Sequence, residues 1–308
     1  MHKSVLLNET IDNLNIKDNL IYVDATLGYA GHSREVLKRI KKGFLFAFDQ
    51  DSEAIQYSEK VLSNISSQYE IIHSNFVNLK SELADRGIEK IDGIMFDLGV
   101  SSPQLDNEER GFSYHQDARL DMRMNREDKL SAYEVVNNYS AEDLSNVFFR
   151  YGEEKYARSI AKKIVEYRTE KPIETTLELV EVIKTGVPEK YKRVGHPARK
   201  VFQAIRIEVN HELEILEKSI EDAIELLNEG GRICVITFHS LEDKICKSVF
   251  KRYSDVPELV KGLPNIPDEY KPILKLIGRY VPSDEELSIN NRARSATLRV
   301  AEKTRKKV

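Results

Sequence analysis

Cysteine is nearly absent from the chain. There are two, Cys234 and Cys246, and neither stands in a Cys-x-x-Cys pair. That spacing excludes a disulfide framework and a cysteine zinc site, and it fits a reducing, cytoplasmic compartment. Long apolar runs are missing too. None approaches the roughly 18 residues that a membrane span requires. The opening Met-His-Lys-Ser-Val-Leu-Leu lacks the apolar region of a signal peptide. Charge of one sign is also lacking: the net charge is −4. The molecule is therefore no polycation, and any nucleic-acid binding must come from local basic patches. Two glycine signatures are absent. Without Gly-x-Gly-x-x-Gly, a pyrophosphate resting on a helix N-terminus is disfavoured. Without Gly-x-Ser-x-Gly, so is a hydrolase elbow. No internal repeat or low-complexity tract appears.

What is there is a chain of 308 residues, 41% hydrophobic and 32% charged, enough for one large domain or two ordinary ones. Leu20 to Gln50 organises it. A short apolar run ends in Asp24. A turn of small residues follows (Gly28, Ala30, Gly31) with His32 next to it, then Val36, Leu37 and Ile40 at helical spacing. A second apolar run ends in Asp49. This is a strand, turn, helix, strand unit with a carboxylate at each strand end. In open α/β sheets ligands bind at those ends, and an acid closing the second strand accepts hydrogen bonds from ribose hydroxyls. The expected ligand carries a nucleoside. S-adenosylmethionine, with no phosphate, fits the turn better than NAD.

Helix and strand patterns continue to alternate through a helix over 52–65 (Ser52 its expected cap), a strand at Glu70–His73, a helix near 77–86 and a strand at Ile91–Leu98. Such alternation predicts a mostly parallel, doubly wound α/β sheet. After Pro103 the pattern changes. Residues 105–130 are polar and aperiodic. Helices are expected at about 131–137, after Ser140, over 154–169, after Thr175 with Glu178 in a capping box, and over 197–209. A long helix over 211–228, stopped by Gly230-Gly231, leads to a fifth strand, Arg232–Phe238. We expect 105–211 to be an inserted all-helical domain, with 1–104 and 212–308 forming the sheet domain. Leu276–Val281 and Ala296–Ala301 are expected as a hairpin at one sheet edge.

Three further constellations carry chemistry. At the exit of the fourth strand stands Asp97-Leu98-Gly99-Val100-Ser101-Ser102-Pro103-Gln104. Oxygen atoms of such a loop would accept hydrogen bonds from an exocyclic base amine and aim its lone pair at a methyl donor, so Asp97, Ser101, Ser102, Pro103 and Gln104 are candidate catalytic residues. From Lys190 to Ile207 the cations Lys190, Lys192, Arg193, Arg199, Lys200 and Arg206 occur with no acid, beside Tyr191, Phe202 and a Gly195-His196-Pro197 break. Cations with aromatics suit RNA phosphates and bases. Arg292, Arg294, Arg299, Lys303, Arg305, Lys306 and Lys307 extend the basic character. Finally, Phe238-His239-Ser240-Leu241-Glu242-Asp243 closes the fifth strand. It is expected to line the substrate side of the cleft, with a metal site at His239, Glu242 and Asp243 as a weak alternative, so no metal is expected.

Taken in order, these strings resemble the MraW family of bacterial ribosomal RNA small-subunit methyltransferases. The match includes His2-Lys3-Ser4-Val5-Leu6-Leu7, Asp24 through Ser33, Phe48-Asp49-Gln50-Asp51, Asp97 through Asp106 and Arg110-Gly111-Phe112-Ser113. It continues with Leu120-Asp121-Met122-Arg123-Met124, Arg199 through Arg206, Phe238 through Asp243 and Asn291 through Ala296. The resemblance implies a class I, Rossmann-like methyltransferase fold whose helical insertion helps recognise RNA. It implies methylation of N4 of a cytosine in 16S ribosomal RNA. By position it puts the S-adenosylmethionine site on Ala30, Gly31, His32, Asp49, Phe76, Asp97 and Gln104. Phe76 enters only this way, as a ring to pack against adenine. Relatives usually have glycine at position 30 and often proline at 291, where this chain has Ala30 and Asn291; the extra methyl at 30 is tolerable if φ there is negative. A catalytically silent RNA-binding assembly factor and an NAD-dependent oxidoreductase are the rival readings, and a homodimer is left open.

Overall fold

The computed structural model describes residues 4–305. His2, Lys3, Lys306 and Lys307, named above, lie outside them. Two compact units emerge: Met1–Gly99 with Leu213–Val308, and Val100–Glu212. The edges expected from the sequence are 104/105 and 211/212.

The first unit holds a sheet of seven strands among the described residues: β1 (Ile21–Asp24), β2 (Phe44–Asp49), β3 (Tyr69–His73), β4 (Ile91–Asp97), β5 (Leu227–Thr237), β6 (Leu274–Tyr280) and β7 (Thr297–Lys303). Their order is β3-β2-β1-β4-β5-β7-β6. The first five run parallel. β7 runs antiparallel beside β5, and β6 pairs antiparallel with β7 at the edge. This is the doubly wound, mostly parallel arrangement of a Rossmann-like class I fold, with the expected hairpin.

Alternation along the strands makes two cores. Val23, Phe46, Phe48, Ile94, Phe96 and Val235 point to one face. Tyr22, Leu45, Ala47, Met95, Cys234 and Ile236 point to the other. Both faces are covered, which is why β2 and β4 read as continuous apolar runs. Leu216, Ile220, Ala223 and Ile224 of the helix Glu212–Leu226 cover the first face at helical spacing. Val36, Leu37 and Ile40 cover the second. Each buried leucine or isoleucine contributes roughly 1.5–3 kcal/mol.

Two local expectations are corrected here. The helix Ser52–Leu62 is capped by Asp51, whose extended backbone lets its carboxylate accept from Glu53 N; Ser52 is already helical. Gly230-Gly231 does not stop the long helix, which ends at Leu226. The pair lies within β5, where Leu227 faces Ile91 and Arg232 faces Gly93, so the extra residues bulge out and Gly230 takes φ 80°.

The second unit is helical among its described residues, with helices at Ser102–Asp106, Ala132–Asn138, Ala141–Gly152, Ala157–Arg168, Thr176–Thr185, Glu189–Lys192 and Arg199–Asn210. The Thr175/Glu178 capping box forms as expected, and Ser131 with Glu134 forms another. The aperiodic stretch before them is held by Arg110. It is 2% exposed, and its guanidinium donates to the carbonyls of Arg123 and Met124 at 3.0 and 3.1 Å. No helix of the described residues is long and apolar enough to cross a membrane.

Candidate cofactor site

β2, β1 and β4 lie side by side, and each ends in an aspartate: Asp49, Asp24 and Asp97. Parallel neighbours open their carboxyl ends on the same edge, so three carboxylates gather there. Among the described residues no lysine or arginine pairs with any of them.

Their tasks differ. Asp24, 1% exposed, is internal scaffold. Its Oδ2 accepts from Ser33 Oγ at 2.6 Å and its Oδ1 from Thr26 N at 3.1 Å. Burial outweighs those hydrogen bonds and pushes its pKa up to about 6. Thr26 Oγ1 in turn accepts from Asp97 N at 2.6 Å, tying the β1 turn to the end of β4.

Asp49 is clamped by the backbone. Oδ2 accepts from Gly28 N at 2.7 Å and Oδ1 from Asp51 N at 2.8 Å. Each oxygen keeps a further lone pair, so the fixed carboxylate can still accept two hydroxyls. Burial, with the charges of Asp51 and Asp24 adding, raises its pKa to about 6 against the pull of the two N–H donors.

Asp97 is the least satisfied. Its Oδ1 is buried without a hydrogen-bond partner. Its Oδ2 lies 3.7 Å from His32 Nδ1, with the aspartate side chain 30% exposed. Burial first, then the charges of Asp24 and Glu242, push its pKa up to about 8. His32 is buried, with Nε2 3.2 Å from Val5 O. A carbonyl only accepts, so Nε2 carries the hydrogen and Nδ1 presents its lone pair toward Asp97. Burial lowers the His32 pKa to about 4.

The turn between them is strained at one residue. Ala30 is fully buried and left-handed, φ 60° and ψ 22°. The condition under which alanine is easily tolerated is therefore not met; the position costs roughly 1–2 kcal/mol that glycine would not. Gly31 is required by close approach: a Cβ there would fall 1.7 Å from Ser4 Oγ and 3.1 Å from Ser4 Cβ. Phe76, half-buried in the turn Phe76–Asn78, meets Phe96 edge-on at 5.7 Å.

Ser101, Ser102, Pro103 and Gln104 belong to the second unit, and they do not form the loop expected from the sequence. Ser101 Oγ accepts from Gln104 N at 3.3 Å while Gln104 Oε1 accepts from Ser101 N at 2.9 Å. This capping box, with proline in the first turn, starts the helix Ser102–Asp106. The Ser-x-x-Gln spacing carries the signal for this cap, and the proline beside it masks that signal as a turn. His239 and Glu242 repeat the device. Glu242, 2% exposed, accepts from Phe238 N at 2.8 Å and His239 N at 3.3 Å, and starts the helix Ser240–Ser254.

The basic residues also divide. Lys190, Arg193, Arg199 and Lys200 are exposed, with Lys200 Nζ donating to Glu153 O at 2.9 Å. Lys192 pairs with Glu189 at 2.5 Å, one residue before the acid-free run. Arg206 is spent on a two-pronged pair with Glu212 at 2.8 and 2.9 Å, its side chain 16% exposed. In the first unit Arg292 and Arg294 are exposed on the turn Asn291–Ser295. Arg299 instead pairs with Asp243, and Lys303 is buried against the carbonyls of Ile224 and Glu225. Arg206, Arg299 and Lys303 are therefore structural cations. Sequence reading missed Thr26 as the link between strand ends, and a ring cluster around Tyr114, which lies in a stretch without period.

Among solved structures the chain is similar to an rRNA methylase from Streptococcus thermophilus, with 14% identity, 99% of each chain covered and a TM-score of 0.44. It is also similar to a protein from Streptococcus mutans assigned as a methyltransferase and solved in complex with SAH, with 14% identity, 98% of this chain and 99% of that one covered, and a TM-score of 0.43. The assignment rests on the family match, which runs over residues 1–304. The chain belongs to the MraW methylase family.

Proposed function

We propose that the chain transfers a methyl group from S-adenosylmethionine to the exocyclic N4 amine of a cytosine in 16S ribosomal RNA of the small subunit. The coarser statement follows from the family: the protein is an S-adenosylmethionine-dependent ribosomal RNA methyltransferase. The base, the atom and the 16S target are the proposal, supported by the strings shared with the family.

The observation that carries the cofactor assignment is the edge of three aspartates without a cationic partner. At neutral pH Asp24 and Asp49 are anionic and Asp97 ionises when a cation approaches, so a sulfonium and an ammonium suit such an edge and the pyrophosphate of a dinucleotide would be repelled by it. The unsatisfied Asp97 Oδ1 and the spare lone pairs of Asp49 are acceptors of the kind the ligand's donors require. We assign the ribose hydroxyls to Asp49, the amino-acid end to the turn of Ala30, Gly31 and His32, and the adenine to Phe76. Asp97 faces the charged end, and Gln104 stays in the cofactor assignment on the sequence match.

When bound, S-adenosylmethionine supplies a methyl on a positively charged sulfur. The protein's own work is positional. Asp24 fixes the turn through Ser33 and Thr26, and Gly28 and Asp51 fix Asp49. Buried Asp24 and His32 lower the local dielectric beneath the strand ends, which strengthens each remaining electrostatic contact. Ser101–Gln104 is proposed to position the target amine, and Lys190, Lys192, Arg193, Arg199 and Lys200, with Arg292 and Arg294, to meet RNA phosphates. Arg206 supports its helix through Glu212.

The test is methyl transfer. Purified small subunits, free 16S RNA and large subunits are each incubated with the chain and methyl-labelled S-adenosylmethionine. Label entering small-subunit RNA alone supports the reading. Tight cofactor binding with no label in any RNA would favour a silent assembly factor.

A further inference from the structure

Three rings meet in the second unit. Tyr114 stacks on His196 with centroids 4.5 Å apart and planes 29° from parallel. His115 leans on Tyr114 at 4.4 Å and meets His196 at 5.3 Å. Beneath them Phe202, 3% exposed, takes Tyr114 edge-on at 5.7 Å. Tyr114 and His196 are half-buried and His115 is exposed. His196 is pinned, because its Nδ1 accepts from Ala198 N at 3.3 Å.

Rings gathered to make a core would be covered, and these are not. Their neighbours in the chain are cationic as well. His196 stands between Arg193 and Arg199, both exposed, in the acid-free run. Rigid π-faces beside unpaired cations are the combination by which proteins hold unpaired bases of single-stranded RNA.

We propose that Tyr114, His115 and His196 form a stacking site for an unpaired RNA base, with Arg193 and Arg199 holding the flanking phosphates. The proposal rests on the reading that the substrate is RNA. Burial, with the charges of His115 and Lys184, lowers the His196 pKa, which favours the neutral ring and its π-face. Phe202 acts as the floor that keeps Tyr114 upright. Stacking tolerates any base, so this site supplies affinity and register, and selection of the cytosine falls elsewhere.

The test uses the full chain and single-stranded RNA oligonucleotides carrying 2-aminopurine at each position in turn. The chain has no tryptophan, so the probe is read without overlapping indole emission. With the native chain, fluorescence at one position should be quenched on binding. Tyr114→Ala should abolish that quenching and weaken binding about 5- to 150-fold, the range for one stacked base. It should leave the salt dependence unchanged, because no cation is lost. Tyr114→Phe should restore both quenching and affinity. Unchanged fluorescence at every position with saturating native chain overturns the proposal. So does a Tyr114→Ala variant that binds as tightly as the native chain. If the native chain binds no RNA and methylates none, the RNA reading itself has failed. If it binds RNA with a steep salt dependence and only the Tyr114 results are null, the stacking site alone has failed.

Discussion

His32 Nδ1 lies 3.7 Å from Asp97 Oδ2, yet the two do not form an ion pair at neutral pH. The imidazole has lost its proton by about pH 4 and the carboxyl keeps its own to about pH 8. Both partners are neutral over the range between. The end of β4 thus holds a protonated acid beside an imidazole lone pair, ready to become an anion when a cation arrives.

This arrangement sets a pH signature. A carboxyl whose folded pKa is raised contributes stability that is complete below its unfolded value and is lost as pH rises through the folded value. For Asp24 and Asp49 that loss runs from about 4 to about 6, and for Asp97 to about 8. His32, with its pKa lowered, works oppositely: its contribution is present above about 6.5 and fades as pH falls toward 4. Between about pH 6.5 and 8 only Asp97 of the four still titrates. Stability should fall across that window by up to about 1.4 kcal/mol per pH unit. Asp97→Asn should flatten the slope and raise the midpoint at pH 8. Urea unfolding at several pH values checks it; an unchanged slope in Asp97→Asn would assign the titration to another group.

Asp49→Ala should weaken S-adenosylmethionine binding by roughly 10- to 150-fold for each ribose hydrogen bond lost, since hydrogen bonds to a charged group are worth about 1.5–3 kcal/mol each. The fold should survive, because the sheet cores do not include Asp49, although Gly28 N and buried Asp51 N each lose an acceptor and the melting temperature should drop by a few degrees. Isothermal calorimetry reads the affinity. Native-like binding would place the ribose elsewhere.

At position 30 the left-handed backbone and the buried methyl oppose one another. Ala30→Gly relieves about 1–2 kcal/mol of strain but forfeits a buried methyl worth about 0.8 kcal/mol. The net gain should be small and positive. Ala30→Val should be strongly destabilising, because a β-branched residue at positive φ is a genuine outlier. Thermal melts separate the two. A valine variant as stable as the native chain would contradict the φ of 60°.

Replacing Lys190, Arg193, Arg199 and Lys200 together with alanine should flatten the salt dependence of RNA binding by up to about 0.7 per lost phosphate contact on a single strand. Arg206→Ala should instead lower stability, through the loss of Glu212, and leave the slope alone. The slope of log affinity against log salt decides between them. A slope that Arg206→Ala changes as much as the exposed cations do would return it to the RNA face.

Strand ends were legible because a parallel, doubly covered sheet writes them as apolar runs closed by a polar residue. Asp24, Asp49 and Asp97 could be named for that reason. Partners were not legible. Arg206, Arg299 and Lys303 read as free cations because Glu212, Asp243 and the carbonyls of 224 and 225 meet them only in the fold. Proline suggests a turn at Ser101 to Gln104, although Pro103 in a first helical turn is equally at home. Tyr114 and His196 stand far apart in sequence, and no period joins them.

Small-subunit RNA methylated by the full chain with labelled S-adenosylmethionine is digested to nucleosides, separated and weighed. The label should sit in N4-methylcytidine. Label in 5-methylcytidine, in a methylated purine or in ribose would contradict the proposed chemistry.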